Sequence, residues 1–499
     1  MNWLDSAVAW ASPERGLKRI RARAAASHLR LAYDAAQMGR RTEGWFSSGA
    51  SANAELGMAL HRLRERSREL VRNNPYGKKA LNTIVNNAVG TGIIPQAASG
   101  LGTLDERINL AWKDWSQQCD ADGQLDFYGL QALATRCVVE SGECLIRFRV
   151  RQPQDGLKIP LQLQVLEPDY LDSSKNQSLA NGYILQGIEF DPIGTRRAYW
   201  LFNQHPGEAV ITNFGRSFLS KAVPASEVLH IYVKERPGQM RAAPWMAPSM
   251  IKMKDLDDYE IAELVRKKIE ACFAAFVTQS EGLEGPSIGV AAPETPPVPR
   301  KEQFEPGMVE YLKPGEDVRF GEPANASGYG DYTRSQLRGV AAGIGVTYEQ
   351  LTGDLSNVNY SSYRAGHLEF RALMETYRWI TFIPMFCRPV WNRFIDIAVV
   401  AGILEQIDYR SKWTAPAYQS IDPLKDSQAV RMRIRSGLVT LPEAIAQEGY
   451  DPDEQLNEIE ATNKILDAKG IVLDCDPRKV ADSGKVQTSP PEETAPPAP

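Results

Sequence analysis

Leucine residues recur at helical spacing through Glu55–Val71, and arginine residues occupy positions between them. A repeat of three to four residues predicts an amphipathic helix, which is basic in this case. Residues 12–41 are rich in arginine and alanine and predict a second basic helix, and the Gly/Ser segment Gly44–Ser51 joins the two. Two more helices are expected downstream, over Asn73–Ile84 and around Trp112 and Trp115.

The pattern changes between Leu125 and Tyr232, where short apolar or alternating runs are separated by Gly, Pro, Asp and Asn. Such runs predict strands of a mainly antiparallel region, preceded by a helix at Tyr128–Ser141. The predicted strands are Cys144–Val150, Leu161–Leu166, Ala198–Phe202 and Val228–Val233.

Apolar side chains follow one face of Met246–Phe276, which predicts one helix of roughly 45 Å at about 1.5 Å per residue. Proline is too frequent in Gln279–Gln303 for a helix or a central strand, so this segment is expected to protrude as an arm. A short strand pair is expected after the arm, around Val309–Leu312 and Val318–Phe320.

A helix at Tyr332–Gly343 is expected to lead into Gly345–Asn359, a loop rich in glycine, asparagine and aspartate. The next helix is expected to run from Tyr360 to about Ala401 with a kink at Pro384, because proline lacks the backbone N–H. The last elements are two helical segments, Asp422–Gln447 and Pro452–Leu466, and a disordered tail at 477–499, which has six prolines in 23 residues.

Charge is distributed unevenly along the chain. Of 499 residues with a net charge of −5, residues 1–100 carry 15 Lys/Arg and 7 Asp/Glu. The other 399 residues therefore carry a net charge of −13. A basic first part and an acidic remainder offer opposite charges for contacts between chains or with a polyanion.

The apolar content excludes a transmembrane protein. The longest apolar stretch, Ile395–Leu404, includes Asp396 and is far shorter than the about 20 residues of a membrane-spanning helix. Met1–Ala11 lacks the leading positive charges of a signal peptide, which argues against export. Six irregularly spaced cysteines without a CxxC pair are typical of reduced thiols in a cytosolic compartment.

Motifs for common enzyme chemistry are missing. The sequence has no GxxxxGK[ST] loop for nucleotide phosphates and no GxSxG nucleophile, and Gly343-Ile344-Gly345 lacks a third glycine. The five histidines show neither HExxH nor Cys/His pairing, so a zinc site is disfavoured. We therefore expect no enzymatic activity, no cofactor and no metal.

Three carboxylates, Asp120, Asp122 and Asp126, come closest to a metal site. Clusters of this kind serve two-metal nucleases, so a metal-dependent DNA-processing enzyme is an alternative function. The calcium-loop pattern fails, because Leu125 and Gln131 occupy its sixth and twelfth positions. A polar loop between two helices is the simpler interpretation.

Five arginines, Arg62, Arg64, Arg66, Arg68 and Arg72, alternate with other residues on the first basic helix. Such clusters can contact phosphates, which leaves a monomeric DNA-binding adaptor as a further alternative, and they also occur on solvated helix faces. Without a zinc finger or an aromatic basic sheet, sequence-specific base reading is disfavoured.

Four segments together resemble one known family. They are Arg66–Gln96, Leu229–Met246, Lys313–Phe320 and Gly339–Gly366. In this order, and over about residues 15–470, they resemble the portal proteins of tailed bacteriophages in the lambda portal family. The most specific part is Asp354–Arg364, which contains the motif residues Asn359, Tyr360, Ser361, Ser362 and Arg364.

The resemblance implies a ring, normally a dodecamer, at one vertex of the capsid, assembled in the cytoplasm of the host bacterium and retained in the virion. Double-stranded DNA would be packaged through its channel by the terminase and later ejected. Implied partners are the large terminase subunit, a head-tail adaptor, the major capsid or scaffold protein, and DNA bound without sequence specificity; no membrane is involved.

The resemblance also implies an α+β subunit with named parts. These are a wing with helices and strands (1–245), a stem helix (246–276), a small clip (277–328), a second stem helix (329–344), a tunnel loop (345–359), a kinked helix that returns to the wing (360–421), a helical crown (422–470) and a disordered tail (471–499).

Candidate channel residues follow from these parts. On the stem they are Arg266, Lys267 and Lys268, which either form positive rings in the channel or pair with Asp255, Asp257 or Glu260 of a neighbouring stem. In the tunnel loop they are Gly353, Asp354, Asn357 and Asn359. Short polar side chains without basic groups predict weak, sequence-blind contact with DNA.

Overall fold

The computed structural model describes residues 10, 12–19, 21, 22, 40, 42–210, 219–271, 275–279, 316–320, 328–356, 358–405, 410–419, 422–473, 476, 478 and 479. The predicted arm at 279–303, the strand at 309–312 and the tail at 477–499 lie almost wholly outside these residues. The chain divides at Glu55 into two units. In the first unit, residues 13–19 are helical, and most of the predicted helix at 12–41 is outside the described residues.

The second unit, residues 56–499, mixes helices with small sheets, as the α+β prediction requires. The helices are α1 (Ala52–Asn73, whose first turn precedes the unit boundary), α2 (Pro75–Ala88), α3 (Gly102–Ser116), α4 (Phe127–Ser141), α5 (Met250–Ala271), α6 (Tyr329–Ile344), α7 (Tyr348–Thr352), α8 (Tyr360–Thr376), α9 (Arg388–Val400), α10 (Pro423–Arg435), α11 (Leu441–Gln447) and α12 (Pro452–Lys469).

Within the described residues, the strands pair antiparallel in four sheets. They are β1 (Ile94–Ala97), β2 (Glu143–Val150), β3 (Leu161–Leu166), β4 (Gln177–Leu179), β5 (Gly182–Leu185), β6 (Ile188–Phe190), β7 (Arg196–Leu201), β8 (Lys221–Pro224), β9 (Val228–Tyr232), β10 (Ala275–Gln279), β11 (Glu316–Phe320) and β12 (Ser411–Thr414). The sheet orders are β3-β2-β9, β4-β5-β6-β7-β8, β1-β12 and β10-β11.

Short polar side chains fix where many helices begin. Each of these residues accepts a hydrogen bond from a free N–H in the first turn, which satisfies a donor that the helix itself cannot pair. They are Asn74, Asp126, Thr347, Asn359, Asp422, Thr440 and Asp451. Proline follows the cap at α2, α10 and α12, where its missing N–H costs nothing.

An aromatic cluster lies at the centre of the main core. The ring of Trp112 lies 4.9 Å from those of Trp115 and Phe127, and 5.1 and 5.0 Å from those of Trp391 and Phe394. Both tryptophans of α3 are therefore core residues on a helix, as the sequence predicts. A second, smaller core includes Ile188, Tyr199 and Leu201, which are residues of the five-stranded sheet.

The long helix is shorter than expected. It begins at Met250 rather than Met246 and ends at Ala271 rather than Phe276, which gives 22 residues and about 33 Å. Pro248 biases the residue before it away from helical backbone angles, so Met246–Ser249 forms turns. Residues 275–279 form β10, whose partner is β11; the expected partner at 309–312 is outside the described residues.

The helix after the loop continues past Pro384, as predicted. Between α8 and α9, Tyr377–Cys387 forms π-helical turns that contain this proline. In a π-helix each hydrogen bond spans one more residue than in an α-helix. The helix therefore accommodates the missing N–H of Pro384 and continues through it. The loop prediction for Gly345–Asn359 is wrong in part, because α7 lies inside it.

Two predictions from the sequence concern the cysteines and membrane-spanning helices. Cys119, Cys137, Cys144 and Cys387 are free thiols, whereas Cys272 and Cys475 lie outside the described residues. In the part of the chain that the structure describes, no helix combines the length and apolarity needed to span a membrane.

Candidate functional site

The two predicted stem helices, α5 and α6, pack against each other at their buried ends. Ser249 Oγ, just before α5, donates to the carbonyl oxygen of Val340 at 2.9 Å. Gly343 on α6 permits this approach, because a Cβ atom there would lie 2.2 Å from Ser249 Oγ. Met253 of α5 and Leu337 of α6 both belong to the main buried core and are 1% and 4% exposed.

Tyrosines hold the other end of the pair. The ring of Tyr259 on α5 stacks on Tyr329 at 5.9 Å and meets Tyr332 edge-on at 4.7 Å, both on α6. Asn74 ties α5 to the rest of the unit, since its Nδ2 donates to Asp257 Oδ1 at 2.8 Å while its Oδ1 caps α2 through the N–H of Gly77. These contacts fix α5 between Ser249 and Tyr259, and the last turns of the helix lie beyond them.

The three basic candidates on α5 have different surroundings. Arg266 donates through Nε and Nη2 to both carboxylate oxygens of Glu263, at 2.9 and 2.6 Å. This hydrogen bond lowers the pKa of Glu263 below its usual value. Within the subunit Arg266 therefore pairs with Glu263 of its own helix, whereas Lys267 and Lys268 are exposed. Positive rings in the channel and pairing with Asp255, Asp257 or Glu260 of a neighbouring stem both stay predictions.

The last turns of α5 also expose apolar side chains. Ile261, Leu264 and Val265 are 60%, 54% and 48% exposed. Ile261 and Leu264 belong to the predicted apolar face of this helix. The earlier members of that face, Met250, Met253 and Leu256, are buried. An exposed apolar stripe on a paired helix is a candidate contact surface for another chain.

The predicted tunnel loop is partly ordered by its own side chains. Thr347 and Gln350 form a reciprocal capping box at the start of α7, and Gly353 ends that helix at φ +79°, a conformation that favours glycine. Asp354 accepts from the Ser356 hydroxyl at 2.6 Å, from the Ser356 N–H at 3.0 Å and from the Tyr348 hydroxyl at 3.1 Å.

These hydrogen bonds, above all that from the Ser356 side chain, lower the pKa of Asp354. Asp354 is therefore an anionic, internally bonded loop residue rather than a donor to phosphate. The fourth loop candidate, Asn357, lies outside the described residues.

The family motif forms the beginning of α8. Asn359 is the N-cap, and its Oδ1 accepts from the N–H of Ser362 at 2.8 Å and from the Ser362 hydroxyl at 2.9 Å. Arg364 donates to the Tyr360 hydroxyl and to Asp426 Oδ1 on α10, both at 3.2 Å, while Ser361 is exposed. The motif thus caps a helix and ties it to α10, a partner that the sequence did not indicate.

The aspartates of the alternative metal site serve the backbone instead. Asp120 accepts the N–H groups of Asp122, Gln124 and Leu125, each at 3.0 Å. Asp126 is the N-cap of α4 and accepts from the N–H of Gly129 at 2.7 Å. Loop and cap formation therefore explain two of the three carboxylates, and the proposed metal cluster does not assemble.

A buried charge network was missed by sequence reasoning. Glu143 at the start of β2 accepts from Arg241 Nε at 2.8 and 2.9 Å, pairs with Arg64 of α1 and binds His230 Nε2 of β9 at 2.8 Å. All four side chains are at most 4% exposed. His230 and Arg241 lie within Leu229–Met246, one of the segments that carry the family resemblance, but nothing in the sequence connects them with Glu143.

Electrostatics in this network follow from burial and pairing. Burial alone would raise the pKa of Glu143, but Arg241, Arg64 and the hydrogen bond from His230 hold it well below its usual value. Burial lowers the pKa of His230 to about 4, against the opposing effect of Glu143, and that of Arg64 to about 10. The network is therefore a carboxylate between two guanidinium groups and a neutral imidazole at pH 7.

Arg68 has a similar internal role. Its guanidinium pairs with Glu167 at 3.0 Å and with Asp169, and His205 lies 3.2 Å from Glu167. Among the described residues, Glu167, Asp169 and His205 are the one group close enough to hold a metal ion, but Arg68 already supplies a positive charge there. Arg64 and Arg68 therefore do not belong to a phosphate-binding face of α1; Arg62, Arg66 and Arg72 remain exposed.

Comparison with known proteins gives the family. The probable portal protein of Halomonas phage phiHAP-1 is 25% identical over 429 residues, which cover 80% of this chain and 79% of that protein. Portal protein B of Escherichia phage lambda is 23% identical over 468 residues, which cover 83% of this chain and 86% of that protein.

Solved structures show weaker likeness. The neck of a native gene transfer agent particle, computed with C12 symmetry, has a TM-score of 0.42 and 15% identity and covers 77% of this chain and 93% of its own. A portal protein of the HK97 family from Corynebacterium diphtheriae has a TM-score of 0.32 and 11% identity. The match covers 72% of this chain and 96% of that protein. Scores this low carry no weight in the assignment.

The family model for "Phage portal protein, lambda family" matches residues 38–378, which is more than half of the chain. This range includes the buried network, both stem helices, the loop and the capped start of α8. The chain therefore belongs to the lambda family of phage portal proteins.

Proposed function

We propose that this portal-family chain forms a ring-shaped channel at one vertex of a phage capsid, through which double-stranded DNA is packaged and later ejected. The observation that carries the proposal is the family match over residues 38–378. The role is structural rather than enzymatic, and the terminase supplies the energy. The ring assembles in the host cytoplasm and is retained in the virion.

The exposed apolar stripe of Ile261, Leu264 and Val265 supports a ring. In a head-to-tail ring every subunit presents one surface to a neighbour and receives another, so an apolar patch is covered in the assembly. We assign this stripe to the contact between neighbouring stems, in a ring that is normally a dodecamer. Lys267 and Lys268, next to the stripe, are then the stem charges that reach the DNA.

The parts of the subunit take the following roles. The wing (1–245) meets major capsid or scaffold protein, the stem is α5 with α6, the clip (277–328) receives the large terminase subunit and a head-tail adaptor, 345–359 is the tunnel loop, 360–421 is the kinked helix and 422–470 is the crown. The link from Arg364 to Asp426 supports mechanical coupling between the kinked helix and the crown.

Contact between the tunnel loop and DNA is weak and independent of sequence. Asp354 is anionic and bonded within the loop, and Gly353 and Asn359 serve to end α7 and to begin α8. Such a loop follows the duplex by shape rather than by holding phosphates.

Deletion of Ser356–Val358 tests the function directly. We expect the shortened loop to leave ring formation intact but to impair packaging or retention of full-length DNA, measured as the length of nuclease-protected DNA in particles. Replacement of the same three residues by glycines keeps the loop length, so it should package normally. Loss of rings in the deletion variant, or undiminished packaging, would contradict the proposed role of the loop.

A further inference from the structure

A groove with a volume of about 560 Å³ lies beside the π-helical segment, between parts of the proposed kinked helix and crown. Its walls come from the end of α8, from residues 413–418 and from α11. Trp379, Trp413, Pro416 and Tyr418 line it, and Trp379 is 45% exposed. The volume lies within the range of about 300–1,000 Å³ that is typical of ligand sites.

Hydrogen-bond donors in this groove lack acceptors. Trp413 Nε1 and Arg371 Nε are buried and have no partner among the described residues. The other guanidinium nitrogens have partners, since Arg371 Nη2 donates to the carbonyl oxygen of Gln419 at 2.7 Å. The Arg378 guanidinium donates to the carbonyl oxygens of Ala88 and Asn87 and to Glu375. Since buried unpaired donors are costly, the groove favours an occupant that brings carbonyl oxygens.

Cationic and aromatic groups shape the same surface. The guanidinium groups of Arg371 and Arg378 lie 4.9 and 4.6 Å from the ring centre of Tyr418. The indole N–H of Trp379 donates to Glu375 Oε2 at 2.6 Å, which fixes the orientation of its exposed ring. Flat, fixed aromatic rings beside N–H donors are the features that bind polyproline II segments, which offer free carbonyls and apolar pyrrolidine rings.

The chain itself contains a segment of this chemistry. Residues 490–499, Pro-Pro-Glu-Glu-Thr-Ala-Pro-Pro-Ala-Pro, hold five prolines and lie outside the described residues. Each proline lacks an N–H but keeps its carbonyl, so the segment is rich in acceptors. Glu492 and Glu493 supply negative charge for Arg371.

The segment can reach the groove of its own chain. Lys479 is bound at the end of α12, where its Nζ lies 2.6 Å from Asp467 Oδ1. The helix α12 has 18 residues, or about 27 Å, and its first turn follows α11, which lines the groove. At the rise of polyproline II, a chain of 20 residues spans about 60 Å, which exceeds that distance, so the residues after Lys479 are long enough to reach the groove.

We propose that the groove formed by Trp379, Trp413 and Tyr418 is a binding site for a proline-rich peptide and that residues 490–499 of the same chain occupy it. The carbonyl groups of the peptide accept from Trp413 Nε1, its prolines pack on Trp379, and its glutamates lie near Arg371. This intramolecular dock holds the end of the chain against the π-helical segment, and it stands independently of the channel function.

Photo-crosslinking in the full chain tests this dock. A benzophenone amino acid at Thr494 should crosslink mainly to peptides that contain 371–379, 413–418 or 443–447. Substitution Trp379→Ala should reduce the crosslink yield about tenfold, the loss expected for one aromatic anchor. The matched control is Ile380→Ala, because Ile380 is 69% exposed and adjacent but does not line the groove.

One further variant and one labelling experiment sharpen the result. Replacement of Pro490, Pro491, Pro496 and Pro497 by alanine keeps the length and charge of the tail and should abolish the crosslink. Chains labelled with ¹⁵N and unlabelled chains, assembled together, should give crosslinks only within one isotope. Crosslinks elsewhere, none at all, a yield that is insensitive to Trp379→Ala, or mixed-isotope crosslinks at the groove would each overturn the proposal.

Discussion

Glu143 shows how a single residue can organise three elements. Arg64 of α1, Arg241 before α5 and His230 of β9 all converge on this one carboxylate, with almost no exposure to water. Removing one partner of a buried pair leaves an uncompensated charge and typically costs about 3–5 kcal/mol. We therefore interpret the network as a fixed junction between α1, the three-stranded sheet and the chain that leads into the stem.

The low pKa of His230 predicts that the subunit loses stability in mild acid. Between pH 6.5 and its folded value of about 4, His230 binds a proton only in the unfolded chain, so lowering the pH favours unfolding. The loss amounts to about 2 kcal/mol between about pH 6.5 and about pH 5. Urea unfolding at a fixed protein concentration measures it, and His230→Gln should flatten the profile over this range.

The control is His61→Gln, because the side chain of His61 is 75% exposed. That variant should keep the wild-type dependence on pH. Equal slopes for wild type and His230→Gln would show that the imidazole does not titrate as the structure indicates.

Single residues were the hardest part to predict from the sequence. The alternating arginines of α1 look equivalent along the chain, yet Arg64 pairs with the buried Glu143 and Arg68 with the partly buried Asp169, while Arg62 and Arg66 face water. Their partners are about 80 to 100 residues away along the chain, and local periodicity contains no information about them. The capping role of Asp126, by contrast, follows a general rule, since aspartate is common at the N-cap of helices.

At the scale of elements, the stem pair depends on close packing at one end and aromatic contact at the other. Ser249 and Gly343 bring the backbones of α5 and α6 together, and Tyr259 packs on α6 near its beginning. Beyond Tyr259 the exposed apolar stripe begins, so the pair is complete in the isolated subunit only over its first part.

Gly343→Ala should weaken this pair, whereas Gly330→Ala in the same helix should not. A Cβ at position 343 would lie 2.2 Å from Ser249 Oγ and displace its hydrogen bond to Val340, whereas a Cβ at position 330 meets nothing within 4 Å. We expect a loss of about 1–3 kcal/mol for the first variant and no loss for the second. Thermal unfolding measures both, and equal midpoints would contradict the packing described.

Elements with a strong local signal were predicted well, whereas the end of α5 and the shortest strands were not. Strand β3 matches the predicted Leu161–Leu166, and α4 differs from the prediction by one residue. The end of α5 was misplaced because Phe276 and Val277 continue an apolar pattern, and only the distant partner β11 makes them a strand. Short strands such as β4 and β6 were missed because three residues give no detectable period.

At the scale of the whole molecule, charge and exposure favour assembly. The chain past residue 100 has a net charge of −13, which suits a channel wall that does not retain DNA. We expect the exposed basic residues at the end of α5, by contrast, to give local contact with phosphates. A ring would therefore combine a mostly repulsive wall with a few positive positions.

Lys267→Gln with Lys268→Gln should reduce the salt dependence of duplex binding by the assembled protein. Each lost phosphate contact lowers the slope of log K against log salt by about 0.9, measured between about 50 and 200 mM salt. Lys254→Gln is the control, because Lys254 lies on the same helix and pairs with Asp258 at 2.7 Å. If the double variant keeps the wild-type slope, these lysines do not reach the DNA.

The most direct measurement for the portal function is native mass spectrometry combined with negative-stain imaging of the purified full-length protein. One sample separates a ring from a monomer before any assay with DNA. The proposed function predicts annular particles with a central hole wide enough for duplex DNA and a mass that is an integer multiple, normally twelve, of the 55.4 kDa chain. A uniform monomer that never associates, with or without capsid protein, would contradict it.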